Sequence, residues 1–122
     1  MSGVATALRG GVTALIALLA WELLWHAWIA PPRAALFWPS LALATVPLLP
    51  GLWQAARAAA RRGVLIGGIV CLFYFAHGVT TLWSGDAPRW LAAGEVLLAL
   101  AVIGASGWDA RHYRHAKKVA PP

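Results

Sequence analysis

Acidic residues are scarce: Asp and Glu together number 4 in 122 residues, against 10 Lys and Arg, for a formal net charge of +6. Charged residues make up only 11% of the chain and hydrophobic residues 61%, where a soluble domain is roughly 25% charged. A chain this short has much surface for its volume, and such a composition in water would expose large apolar patches. An ordinary soluble fold is thereby excluded, and the mean hydropathy of +0.69 agrees. The single cysteine, Cys71, excludes an intramolecular disulfide and reads as a small buried hydrophobe. No glycine-rich phosphate loop, partnered serine nucleophile, zinc motif or nucleic-acid module is present. No polar stretch is large enough for a conventional soluble-substrate active site, so a stand-alone enzyme is not indicated. The excess of basic residues does not mark a nucleic-acid partner either, because these residues flank apolar runs instead of lining one face.

Four apolar runs are present: 10–29, 34–53, 63–83 and 90–108. Each has about the 20 residues that a membrane-spanning helix needs. The expected fold is an all-α membrane protein with four transmembrane helices over 1–110 and a basic cytoplasmic tail at 111–122. The first run continues through Trp21, Trp25 and Trp28 with no small-x-small site before Pro31 and Pro32, which reads as a retained helix and not as a cleaved signal. Pro39, Pro47 and Pro50 lack the N–H of an intrahelical bond, so the second helix is expected to be kinked. The basic stretch 54–62 is expected to continue helically at the membrane surface.

Four crossings put the N-terminus, the 54–62 segment and the tail on one side, with Arg9, Arg57, Arg61, Arg62, Arg111, Arg114, Lys117 and Lys118; only Arg33 and Arg89 fall on the other. Eight against two predicts that both termini are cytoplasmic. Trp25, Trp28, Trp38, Trp83 and Trp90 at the outer ends, and Trp53 and Trp108 at the inner ends, read as interfacial belts. Gly63 and Gly67, extended by Cys71, form a small-residue stripe that admits another helix closely, within the chain or in a homo-oligomer.

The strings Pro47-Leu48-Leu49-Pro50-Gly51-Leu52, Phe73-Tyr74-Phe75-Ala76-His77-Gly78-Val79 and Arg89-Trp90-Leu91-Ala92-Ala93-Gly94-Glu95 resemble a family of small proteobacterial inner-membrane proteins catalogued as domain of unknown function 2069. The resemblance runs from the Trp-Glu-Leu-Leu-Trp segment at Trp21 to the end of the fourth run. One departure is that relatives open the third span with more polar and aromatic residues, where this chain has Gly63-Val64-Leu65-Ile66. The resemblance implies a four-helix protein of the bacterial inner membrane and no reaction.

Few ionisable groups fall inside the runs. At 1.5 Å per residue, Glu22 lies about 10 Å below the outer end of the first run at Ile29. His77 and Glu95 lie about 10 Å below Ser84 and Pro88, and Ser40 about 9 Å below Ala34. Tyr74, His77, Thr81 and Ser84 recur on one helix face, and Glu22 and His26 are four residues apart on another. A carboxylate at a span's centre costs about 2.5–3.5 kcal/mol on the insertion scale, so neither Glu should face lipid bare. Glu22, His77 and Glu95 are therefore expected to meet between the helices, with His26, Tyr74 and Ser40 around them. Two carboxyls that close, away from water, cannot both stay ionised, so at least one should hold a proton or share it with His77.

Such a cluster either holds a bundle together or binds something. Zinc or iron would accept these ligand types, but a hydrogen-bonded cluster needs fewer coincidences, and no metal is assigned. A haem held by His26 and His77 is disfavoured because their depths differ by about one turn, and the cofactor stays open. Asp109, His112 and His115 read as a solvated end. Two functions follow from different classes. One is an accessory or scaffold subunit that packs against a larger membrane partner. The other is a minimal transporter or proton-linked site for a lipid-like or quinone-like molecule using Glu22, His77 and Glu95.

Overall fold

The structure, a computed structural model, describes residues 2–29, 34–57, 59–85 and 87–119, with side chains for 5–29, 35–57, 59–85 and 87–112. Pro31, Pro32, Arg33 and Asp86, and the side chains of Arg114, His115, Lys117 and Lys118, lie outside these residues. Every described element is helical. Helix α1 (Ser2–Leu24) runs directly into a π turn at Trp25–Ile29. A 3-10 turn at Ala34–Leu36 leads into α2 (Phe37–Thr45), and a second at Val46–Leu48 leads into α3 (Leu49–Ala56). Two long helices follow, α4 (Ala60–Ser84) and α5 (Arg89–Val119).

Three stretches are long and apolar enough to cross a membrane: Ala5–Ile29, Ala60–Ser84 and Arg89–His112. The second run, 34–53, is divided among short pieces, of which the longest has nine residues. Val46–Leu48 interrupts it, with Pro47 inside the interruption and Pro50 just after it. The expected helical continuation through 54–62 does not occur. Helix α3 stops at Ala56, the Arg57 N–H donates to the Trp53 and Gln54 carbonyls, and the Ala59 N–H donates to Gln54. The chain has to reverse there, because α3 lies against the start of α4 and a continuous helix would carry it away.

That contact is made of backbone. A Cβ added at Gly51 would sit 2.9 Å from the Gly63 carbonyl and 3.2 Å from the Gly67 nitrogen, so α3 crosses α4 on its glycines. Gly67 also receives Leu15 of α1, whose nearest side-chain atom would be 2.7 Å from such a Cβ. Cys71 is fully buried in the main core with Leu15, Leu18, Leu48, Ala99 and Val102. The small-residue stripe is thus occupied by elements of the same chain. At its other end α4 stops at Gly85, whose φ of 72° is the left-handed cap that glycine adopts without strain.

Helix α5 packs most extensively on α4 and α1. Two tryptophans depart from interfacial duty. Trp25 is only 4% exposed and packs with Leu91 and Ala92, so it belongs to the core and not to the belt; Trp28, Trp38, Trp53, Trp83, Trp90 and Trp108 are exposed. Successive residues of a helix point in different directions around its axis, and hydropathy along the chain does not record which direction Trp25 takes. Trp21 inserts between α1 and α5, where its Nε1–H donates to the Leu91 carbonyl at 2.9 Å. Gly94 makes the room, since a Cβ there would overlap the Trp21 ring.

Gly94→Ala is therefore expected to destabilise the protein by about 1–3 kcal/mol, the usual cost of overpacking. Gly104→Ala, where a Cβ meets nothing within 4 Å, should leave the thermal transition in detergent nearly unchanged. Equal transitions for the two variants would refute the Trp21–Gly94 contact.

Candidate functional site

Glu22 and Glu95 are the most deeply buried acidic side chains among the described residues, 1% and 0% exposed. They come from different helices, α1 and α5, and border the same cavity. His77 on α4 joins them: its Nδ1 is 2.7 Å from Glu95 Oε1, the short length of a charge-assisted bond. Close approach of α4 and α5 makes that bond reachable. Gly78 follows His77, and a Cβ on it would sit 2.6 Å from a Val96 methyl and 3.1 Å from Glu95 Oε1.

His26 enters through the π turn that begins one residue before it. Its Nδ1 lies 3.1 Å from the Glu22 backbone carbonyl and 3.3 Å from Glu22 Oε2. Both are acceptors, so Nδ1 carries the proton. The ring stacks on Trp25 at 5.2 Å between centroids and lies 6.5 Å from the His77 ring. Turns of this kind recur where a helix must aim a side chain off its regular face.

Tyr74 is buried, and its hydroxyl donates to the Ala44 carbonyl at 2.6 Å. Ala44 lies in α2 shortly before the interruption at Val46–Leu48, and Tyr74 ties that segment to α4. The nearby Thr45 hydroxyl turns back to the Leu41 carbonyl at 2.8 Å.

These groups surround a cavity of about 540 Å³, within the range of small-molecule sites, roughly 300–1,000 Å³. Glu22, His26, Ser40, Tyr74, His77 and Glu95 line its polar part, and Leu43, Ala44, Pro47, Val70 and Phe73 its apolar part. Leu43 of α2 and Phe73 of α4 flank it and are 77% and 81% exposed; His77 is about half exposed. One oxygen of each carboxyl, Glu22 Oε1 and Glu95 Oε2, is buried with no hydrogen-bond donor. A carboxylate only accepts, so each of these oxygens is satisfied by a proton held on the carboxyls or by a donor from elsewhere. Among the described residues, no three of His, Cys, Asp and Glu converge to hold a metal ion.

All six residues expected to form the polar cluster thus line one cavity. A third buried acid was missed. Asp109, read as part of a solvated end, is 5% exposed and accepts from Arg61 Nε at 3.1 and 3.0 Å through its two oxygens. The pair joins the start of α4 to α5, at the opposite end of α4 from His77. Its partners are 48 residues apart, and no local spacing signals such a contact.

A family model described as "Predicted membrane protein (DUF2069)" matches residues 10–114. The chain belongs to that family. It is accordingly a helical membrane protein of a family without assigned activity. No curated protein and no solved structure matches it.

Two measurements check the geometry. Tyr74→Phe should free the Ala44 carbonyl and cost about 0.6–1.7 kcal/mol, the range of interhelical hydrogen bonds in membranes, with faster amide exchange confined to 37–45. Asp109→Asn should cost at most about 1 kcal/mol because Arg61 is half in solvent, and the reciprocal exchange Arg61→Asp with Asp109→Arg should recover part of the loss in a thermal transition.

Proposed function

We propose that this protein is a four-pass protein of the bacterial inner membrane, with both termini cytoplasmic, and that its intramembrane cavity binds a small amphiphilic molecule of lipid-like or quinone-like shape in a proton-linked way. The 34–56 segment would be about 34 Å long if helical throughout, enough to cross a hydrocarbon core of about 30 Å. In this reading it is the second span, kinked where Pro47 and Pro50 withhold their N–H groups. The distribution of Arg and Lys described above supports the orientation.

One observation carries the binding reading: the most costly side chains to bury, Glu22 and Glu95, line an open cavity and not a sealed contact. Groups that only glue helices together need no space beside them. Cavity walls that are apolar away from the carboxyls suit a molecule with a small polar head and a greasy body. Exposed Leu43 and Phe73 at the rim face lipid in this arrangement, and a ligand would enter sideways from the bilayer. The other reading, an accessory subunit packing on a larger membrane partner, draws on the exposed Trp28, Trp38, Trp83 and Trp90. Those side chains serve equally at the lipid headgroups.

Native mass spectrometry of protein extracted in mild detergent tests the choice. Wild type is expected to retain a non-protein molecule. Glu95→Gln, which keeps shape but cannot ionise, is expected to lose at least about 90% of it, more than a tenfold fall in affinity, with the thermal transition little changed. A co-purifying protein whose attachment ignores Glu22→Gln and Glu95→Gln, with no retained small molecule, would favour the accessory subunit.

A further inference from the structure

The polar end of the cavity offers acceptors and has few donors left. His26 Nδ1–H points at the Glu22 carbonyl, His77 Nδ1 at Glu95 Oε1, and the Tyr74 hydroxyl at Ala44. What remains unmatched is Glu22 Oε1 and Glu95 Oε2. Among the described residues, no Lys or Arg lines the cavity. The ionisable groups that face the pair are His26 from the π turn and Tyr74 and His77 from α4, with Cys71 a turn further along α4; α2 contributes the hydroxyl of Ser40. A ligand whose head only accepts, such as a quinone carbonyl or a carboxylate, leaves both oxygens as they are. A head with N–H donors completes them.

From this we infer that the cavity is a site for a lipophilic organic cation, a primary or secondary ammonium on a hydrocarbon body, and that the ammonium takes the place of the proton otherwise held between Glu22 and Glu95. This rests on the reading of the cavity as a ligand site and narrows it to one chemical class. The exchange is balanced: one ammonium enters, one proton leaves, and the charge in the site is the same before and after. A low-dielectric site favours that balance, because an added charge there has no counter-ion and little water. The head sits at the end of the cavity lined by Glu22 and Glu95, whose unmatched oxygens lie just beneath its wall. The body lies along Leu43, Pro47, Val70 and Phe73, and the exposed rim admits it from the lipid side.

The test uses the full chain in phosphatidylcholine nanodiscs, with empty nanodiscs as the blank for partitioning. Four probes share one dodecyl chain and differ in the head: dodecylamine, dodecanol, dodecyltrimethylammonium and dodecanoate. Dodecylamine is expected to bind at least about tenfold more tightly than the others, a gap of about 1.4 kcal/mol. A pH indicator in weak buffer should register about one proton released per molecule bound, and affinity should rise about tenfold per pH unit while that proton is displaced. Glu22→Gln and Glu95→Gln should each abolish the release and weaken binding at least about tenfold. Val70→Phe, which narrows the apolar wall and touches neither carboxyl, should weaken binding while leaving release per bound molecule intact. It therefore serves as a second readout if a Gln variant folds poorly. Dodecanol or dodecyltrimethylammonium binding as well as the amine, or amine binding without release, would overturn the ammonium site and leave the cavity a ligand site of another class. Absence of specific binding by all four probes, together with no retained molecule in the native preparation, would overturn both.

Discussion

A carboxyl group enclosed by helices has to find a hydrogen-bond partner, since water is not at hand and an unpaired charge there is costly. Glu22 and Glu95 impose that requirement twice at one point. The result brings α1 and α5 to one cavity and ties α5 to α4 through His77. Around them the tight fits recur where helices must come near: Gly78 where α4 meets α5, Gly94 beneath Trp21, and Gly51 against Gly63. Small residues permit the close approach, and the polar contacts fix which faces meet.

Opposite the carboxyls, the wall is built differently. The segment 34–56 is made of short helical pieces, and Tyr74 holds it through a backbone carbonyl and not through a side chain. One side of the cavity is therefore a rigid seam of α1, α4 and α5, and the other is a broken helix pinned at Ala44. Backbone off regular helical geometry at membrane depth is tolerated where it is buried in protein or borders a cavity, and Val46–Leu48 contains Pro47, which lines this one.

Much of this arrangement is readable from residue order. The runs 10–29, 63–83 and 90–108 lie within the three long helices, because twenty apolar residues in a row have few other places to go. The helices overshoot the runs, to Ser2 at one end and to Val119 at the other, since backbone hydrogen bonds continue through polar residues while hydropathy stops. The inward placement of Glu22 and Glu95 follows from the cost of the alternative. Other features leave no such trace. Tyr74 finds a carbonyl, and every residue has one. Asp109 finds Arg61 across 48 residues. Trp25 and Trp28 look alike in a hydropathy count, yet one is in the core and the other is exposed. The reversal at 57–59 depends on where α3 packs, a fact of tertiary structure that the alanine-rich string 55–60 does not carry.

Helix α5 has 31 residues without a break and so measures about 46 Å, well beyond the thickness of a hydrocarbon core, about 30 Å. It is a single rod with Glu95 near one end and a projecting basic stalk at the other. A rod of that kind pivots as a whole, so a tilt at the Glu95 end swings the far end in the opposite sense. The lever arm runs through Asp109, where Arg61 braces it.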